Sequence, residues 1–287
     1  WAHSCCSIKK LEAALEDPNV TAIEADILMG KVDGGGDEDP VPIMAHPPKR
    51  SSDLSFEEFL TRCIRDRRRH LKLDFKDLAS ALQCLPVLAA ARPALAANGQ
   101  AVWLNADVLP GPGLRSRPCA VPAAEFLGAA AEHCPGAALS LGWSVNPLAP
   151  VAYTQADCAA MAALCRAHSE LLGAEGGQLV FAVAARLADR APGPLVQLLR
   201  EVAGSQLLLW TGTWEPPVRP SMLRRLREAF QAAGVGHRCG YDCRTLQAPA
   251  RRAGVMERSL ARAASVLHKL AAAKPALGRR LGQYMAL

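Results

Sequence analysis

Thr21-Ala22-Ile23-Glu24-Ala25-Asp26-Ile27-Leu28 is a short run in which apolar and acidic residues alternate. Successive side chains of a β-strand point to opposite faces. Ile23, Ala25 and Ile27 therefore share one face, and Glu24 and Asp26 share the other. Leu71-Lys72-Leu73-Asp74-Phe75-Lys76 has the same form, with Leu71, Leu73 and Phe75 set against Lys72, Asp74 and Lys76. Either the charged faces are solvated edges, or they line the inside of a sheet that curls on itself and packs its apolar side against helices. Charge inside a fold is costly unless it is paired or bound to a metal. The second explanation therefore predicts a functional interior, and the pattern of the rest of the chain favours it.

Short apolar runs alternate with longer helical patterns. Strands are predicted at residues 1–4, 21–28, 41–45, 71–76, 101–105, 138–142, 179–184 and 206–211. Helices are predicted at 8–16, 55–69, 77–97, 123–132, 154–172, 194–202 and 221–233, the second opened by a capping box of Ser55 and Glu58. Eight strands separated mostly by helices predict an α/β protein of the TIM-type (β/α)8 barrel class. The link between the second and third strands carries Gly34, Gly35, Gly36 and Pro40 and is too rich in breakers to be helical. It is expected to be a surface loop that replaces one helix, near the shortest length a parallel crossover allows. Its acids do not match a calcium-binding EF-hand loop. Residues 1–245 are expected to form the barrel, with a short extended piece at Gly240-Tyr241-Asp242. Residues 246–287 are expected to add a basic helical C-terminal extension of the same domain.

Bulk composition narrows the function classes. The chain has 287 residues, 50% hydrophobic and 21% charged, which suits one barrel domain of about 250 residues. No run reaches the ~18 uncharged apolar residues of a membrane span, and residues 85–97 are interrupted by Pro86, Arg92 and Pro93. No signal peptide is visible, and the chain opens on Trp1, which leaves secretion open. The net charge of +6 is uneven: Arg251, Arg252, Arg258, Arg262, Lys269, Lys274, Arg279 and Arg280 face Glu257 alone. Such a tail reads first as a solvated helix face. With Leu260, Ala264, Leu267 and Leu270 on one side, it also suits a membrane-surface anchor or packing on the barrel. Aromatic residues do not interleave these charges, apart from Tyr284, so no nucleic-acid partner is expected. The ten cysteines lack the spacing of a zinc ribbon. Cys239 and Cys243 near His237 are a weak metal signal, and most of the cysteines read as small apolar core residues.

The chemistry is expected where strands end, since active sites of such barrels sit at the C-terminal face. His3 ends the first predicted strand and His46 the third. A lone histidine is more often structural, but two at equivalent strand ends beside three inner carboxylates favour function. Glu24, Asp26 and Asp74 suit one hard divalent cation, Mg2+ or Ca2+. His3 and His46 suit acid and base roles, because imidazole titrates near neutral pH. Lys76 suits charge on a phosphoryl oxygen, with Lys72 as a second candidate. Asn105, Asp107, Trp143 and Trp210 join Lys72 as expected substrate contacts, with Trp103 beside them as a pocket or core residue.

The order His, Glu-x-Asp, His, then an acid with Lys two residues on, resembles the phospholipase-C-like phosphodiesterase superfamily. That superfamily includes glycerophosphodiester phosphodiesterases and spider sphingomyelinases. A closer resemblance is to the menorin family. It rests on Trp1-Ala2-His3, Ile23-Glu24-Ala25-Asp26, Ala45-His46-Pro47-Pro48, Leu73-Asp74-Phe75-Lys76, Trp103-Leu104-Asn105-Ala106-Asp107, Leu139-Ser140-Leu141-Gly142-Trp143 and Leu209-Trp210-Thr211-Gly212. The resemblance implies the barrel, a metal on Glu24, Asp26 and Asp74, and cleavage of a glycerophospho- or lysophospholipid-type phosphodiester by attack of an internal hydroxyl. It also implies an alternative: a catalytically inactive barrel that acts as a binding or signalling partner of cell-surface adhesion and receptor proteins in neural or epithelial tissue. Extracellular localisation follows from the resemblance, with a cytoplasmic one as the alternative. The chain departs from the pattern at Cys6, where the family has Asn, and at Ser4, where the superfamily enzymes have Arg. An Arg expected near Ala184 is replaced by Arg186 in a different register. These changes bear on turnover more than on metal binding.

Overall fold

The computed structural model describes residues 1–35, 39–173 and 178–246. In chain order its strands are β1 (Ala22–Val32), β2 (Val41–Met44), β3 (Ser51–Ser52), β4 (His70–Phe75), β5 (Val102–Pro110), β6 (Ala138–Ser144), β7 (Leu179–Ala184), β8 (Gln206–Trp210) and β9 (Cys239–Asp242). Its helices are α1 (Ile8–Glu16), α2 (Phe56–Asp66), α3 (Leu78–Ala97), α4 (Ala123–His133), α5 (Gln155–Ala167), α6 (Ser169–Gly173), α7 (Ala185–Arg190), α8 (Gly193–Glu201) and α9 (Pro220–Ala232). Strands β1, β4, β5, β6, β7, β8 and β9 run parallel and pair in that order. Ala2 bridges in parallel to Ile23. The sheet curls until His3, next to that bridge, touches Asp242 at the end of β9.

Four strand expectations need correction. The predicted third strand, β2, pairs antiparallel with β1, placing Ile27 opposite Met44 and Gly30 opposite Val41. The reason is that β1 continues to Val32, past its expected end at residue 28. The remaining link is too short for a parallel crossover and returns as a hairpin. Gly30 permits this fold-back: a Cβ there would meet Ile43 Cδ1 at 2.4 Å and the Arg50 carbonyl at 2.6 Å. The predicted first strand is reduced to the single Ala2 bridge, and β9, expected only as an extended piece, adds a full parallel partner to β8.

Local sequence explains most helix ends. Ser7, Ser55 and Asp77 each cap a helix by accepting a backbone N–H three residues on. Helix α2 stops at Asp66, short of the expected residue 69, with Arg67 at φ 63°. Arg69 is thereby freed to turn inward, where it is fully buried and donates to the carbonyls of Val20 and Asp17 and to Asp66. The predicted helix at 154–172 divides into α5 and α6 at His168. Pro86 and Pro93 lie inside α3 and do not end it. That helix is long and apolar enough by composition to cross a membrane, yet Ala81, Leu85 and Leu88 are buried in the main core.

The layer between sheet and helices takes the apolar set foreseen from alternation. Ile23, Ala25, Ile27, Leu71, Leu73 and Phe75 are all buried there. Burying a Leu, Ile or Phe side chain contributes roughly 1.5–3 kcal/mol each, and this drives the opposite, charged face of β1 and β4 into the interior. Cys5, Cys63, Cys84, Cys134, Cys158 and Cys165 are buried, and all ten cysteines are free thiols. The Cys239 and Cys243 thiols instead donate to the carbonyls of Val235 and Leu209. The basic extension falls almost wholly on residues 247–287, outside the described residues.

Candidate functional site

The inner faces of β1, β4 and β5 open on a cavity of about 910 Å3 at the C-terminal ends of the strands. Register decides which side chains meet. Glu24 lies beside Lys72, Asp26 beside Asp74, and Asp74 beside Asn105. Asp107, two residues further along β5, lies beside Gly142. Glu24, Asp26, Lys72, Asp74 and Asn105 are buried, and all of them line the cavity.

Carboxylate oxygens of Glu24, Asp26 and Asp74 all lie within 4.8 Å of one another. Among the described residues this is the one group of acidic, histidine or cysteine side chains gathered closely enough to hold a metal ion. Lys76 Nζ stands 3.0 Å from Asp26 Oδ1 and 2.8 Å from Asp74 Oδ2. Asp74 Oδ1 is buried with no hydrogen-bond partner. Burial and then Asp26 raise the pKa of Glu24, against the pull of His3 and Lys72. Burial also acts upward on Asp74, but Lys76 and Lys72 outweigh it and hold that carboxyl below its usual range. Lys76 is strongly held in its charged form: burial acts against the charge, and Asp74, Asp26 and Asp107 overcome it. Asp107 is pushed up to about 7, chiefly by burial, with Lys76 opposing and Asp74 adding to the rise.

His3 sits between two acids. Its Nδ1 is 3.0 Å from Asp242 Oδ2 and its Nε2 is 3.5 Å from Glu24 Oε2. Burial acts downward on the ring, and Glu24 and Asp242 raise its pKa more in sum. Asp242 is itself lowered: burial acts upward, and the His3 hydrogen bond together with the charges of His3 and Lys72 overcomes it. Sequence reading missed Asp242. Its position at the end of an extended piece was legible, but its contact with residue 3 depends on the sheet curling through all its strands. His46 follows β2 and lines the same cavity. Its Nδ1–H donates to the Pro47 carbonyl at 2.6 Å, which leaves Nε2 as the free ring nitrogen.

The remaining predicted contacts divide. Lys72, Asn105, Asp107 and Trp210 line the cavity, and the exposed Trp214 joins them unforeseen. Trp143 does not. It is fully buried, its indole donates to the Asp157 carbonyl at 3.4 Å, and it packs edge-on against Tyr153. Strand alternation explains the correction: Ser140 and Gly142 face inward, so Trp143 faces the helices. Trp103 packs against Trp1. Arg186 lies on α7 and pairs with Glu215 at 2.9 Å.

The fold and site thus define a mixed α/β protein with a curled parallel sheet and a cavity that joins an acidic triad to two histidines. The Menorin N-terminal domain model matches residues 1–237, and the chain belongs to the menorin family. It is 30% identical over 215 residues to human protein FAM151B, covering 74% of this chain and 72% of that protein. Among solved structures it is similar to a glycerophosphodiester phosphodiesterase from Parabacteroides distasonis, at 14% identity and a TM-score of 0.43, covering 82% of this chain and 85% of that one. It is also similar to a 3-keto-D-glucoside 4-epimerase from E. coli, at 13% identity and a TM-score of 0.36, covering 74% of this chain and 93% of that one.

Proposed function

We propose that this chain is a phosphodiesterase-type protein of the (β/α)8 barrel kind that binds a glycerophospho- or lysophospholipid-type phosphodiester with one divalent cation, Mg2+ or Ca2+. The observation that carries the reading is the triad of Glu24, Asp26 and Asp74, with the buried Asp74 Oδ1 left unpartnered. An all-oxygen donor set suits a hard cation. An uncompensated buried carboxylate oxygen is costly, and a cation on the triad relieves that cost. When bound, the cation supplies Lewis-acid stabilisation to a phosphoryl oxygen.

The chain's own groups supply the rest. Asp242 accepts the Nδ1 proton of His3 and orients the ring, so that Nε2 faces the cavity. His46, held through Nδ1 by the Pro47 carbonyl, offers its Nε2 to the same cavity. One Nε2 takes the proton of the attacking hydroxyl and the other donates to the leaving oxygen. Lys76 and Lys72 place positive charge beside the phosphate, while Asn105, Asp107 and Trp210 face the groups it carries. The extracellular setting of this reading is supported by the resemblance to the menorin family.

Calorimetric titration of Mg2+ and Ca2+ into metal-free protein tests the reading, with Glu24→Ala/Asp26→Ala as the control. Binding is expected in the unsubstituted chain and lost in the control. Absence of binding in both would sink the metal reading. His3→Ala is expected to lower any phosphodiester turnover by about 10²–10⁴-fold. A second reading, an inactive barrel that binds cell-surface proteins, is favoured by Arg186, which pairs with Glu215 in place of a cavity-facing role. Cation binding without turnover of any glycerophosphodiester or lysophospholipid would support it.

A further inference from the structure

We propose that Cys6 is a positioning residue for Asp26, a role that rests on the metal reading above and deepens it. The turn after the Ala2 bridge wraps both acids of β1. The Cys5 N–H donates to the Glu24 carbonyl at 2.9 Å, and the Ser4 N–H donates to Glu24 Oε2 at 2.7 Å. Ser4 holds φ 55° to do so. A non-glycine residue in that region is strained and persists where its surroundings over-determine it. The same turn brings the Cys6 N–H to the Ser4 carbonyl at 2.8 Å and presents the thiol to Asp26.

Cys6 Sγ makes three contacts with that one residue. It accepts the Asp26 backbone N–H at 3.4 Å, and its S–H has two acceptors in reach, Asp26 Oδ2 at 3.5 Å and the Asp26 carbonyl at 3.9 Å, of which the carboxylate is the nearer. Asp26 Oδ1 is meanwhile 3.0 Å from Lys76 Nζ. Both carboxylate oxygens of Asp26 therefore have a partner, Oδ1 in Lys76 and Oδ2 in the Cys6 thiol. A second observation ties this turn to a ligand: in the same cluster Asp74 Oδ1 is buried, lacks any partner, and belongs to a residue only 8% exposed that lines the cavity. The arrangement is a carboxylate cluster with one oxygen left open and its neighbour clamped by sulfur. Groups that orient metal ligands from behind typically change metal affinity by 10–100-fold when removed.

The test is titration of Mg2+ and Ca2+ into the full chain and its Cys6→Ala and Cys6→Ser variants, with circular dichroism to verify folding. Cys6→Ala is expected to weaken cation binding by about 10–100-fold, and Cys6→Ser, which keeps a donor and acceptor, to stay close to the unsubstituted chain. A folded Cys6→Ala variant that binds as tightly as the unsubstituted chain overturns the role. Equal weakening by Ala and Ser overturns it too, because packing alone would do that. If the Ala variant does not fold, maleimide labelling of the unsubstituted chain decides. Saturating cation is expected to slow alkylation of Cys6 relative to Cys119, and an unchanged ratio overturns the proposal. Failure of the unsubstituted chain to bind any cation overturns the metal reading first and this role with it, and it is seen before any substitution is made.

Discussion

Asp107 and Gly142 meet across β5 and β6, and their contact is set by the absence of a side chain. A Cβ at residue 142 would lie 2.3 Å from Asp107 Oδ1. Gly142→Ala should therefore displace the Asp107 carboxylate and destabilise the fold by about 1–3 kcal/mol, as overpacking does. Asp107→Ala should restore most of that loss in the double variant. Urea unfolding of the four proteins of the cycle measures the coupling, and strictly additive costs would show that something else requires glycine here. At this scale much was legible in advance. Glu24, Asp26, Lys72 and Asp74 follow from period two alone, whereas Asn105 and Asp107 entered with the family resemblance. The same rule applied to Ser140 and Gly142 would have turned Trp143 away from the cavity. Cys6 and Asp242 were beyond reach, because their roles depend on Asp26 and His3 approaching from other elements.

Helix α5 shows how an element combines local and distant contributions. Thr154 and Asp157 form a reciprocal capping box. Arg115 then reaches the same carboxylate through two bonds, Nε to Oδ1 at 2.8 Å and a terminal nitrogen to Oδ2 at 2.6 Å. Burial acts upward on Asp157, and the bonds from Arg115 and Thr154 overcome it, so its folded pKa is lowered. A lowered carboxylate stabilises the fold above its unfolded pKa of about 3.9, and this contribution disappears as pH falls through the folded value. Asp157→Asn is expected to cost about 1–3 kcal/mol at neutral pH. The cost should shrink steadily below pH ~4. Denaturation midpoints of both proteins at neutral and acid pH check this, and a penalty independent of pH would remove the linkage. The Thr154-x-x-Asp157 cap could be read from the chain, but its Arg115 partner, 42 residues away, could not.

The whole molecule depends on a seam. The Ala2 bridge to Ile23 and the His3 bond to Asp242 join the two ends of the curled sheet. Strand β9 is short, and beside its pairing with β8 it is fastened by Arg238, the residue just before it. Its guanidinium donates to the carbonyls of Ser205, Leu199 and Val202 and to the Ser205 hydroxyl. The seam should open before the centre of the sheet, since local openings start where contacts are fewest. Arg238→Ala is expected to speed amide exchange in β9 and at Ala2 and Glu24, while β5 and β6 stay protected. Native-state hydrogen exchange tests this. Uniform acceleration throughout the sheet would mean that the seam and the core open as one unit.

Sequence alone determined the strand and helix alternation, the inward charged faces of β1 and β4, the place of His46 after a strand and the family resemblance. Each of these rests on period, spacing or residue type within a few positions of one another. Only the tertiary structure decided that β2 turns back as a hairpin, that β9 pairs with β8, that Asp242 backs His3 and that Cys6 clamps Asp26. These depend on the length at which β1 stops and on the curl that brings residue 3 to residue 242. Such non-local distances are set by the packing of the whole chain, and no local pattern encodes them.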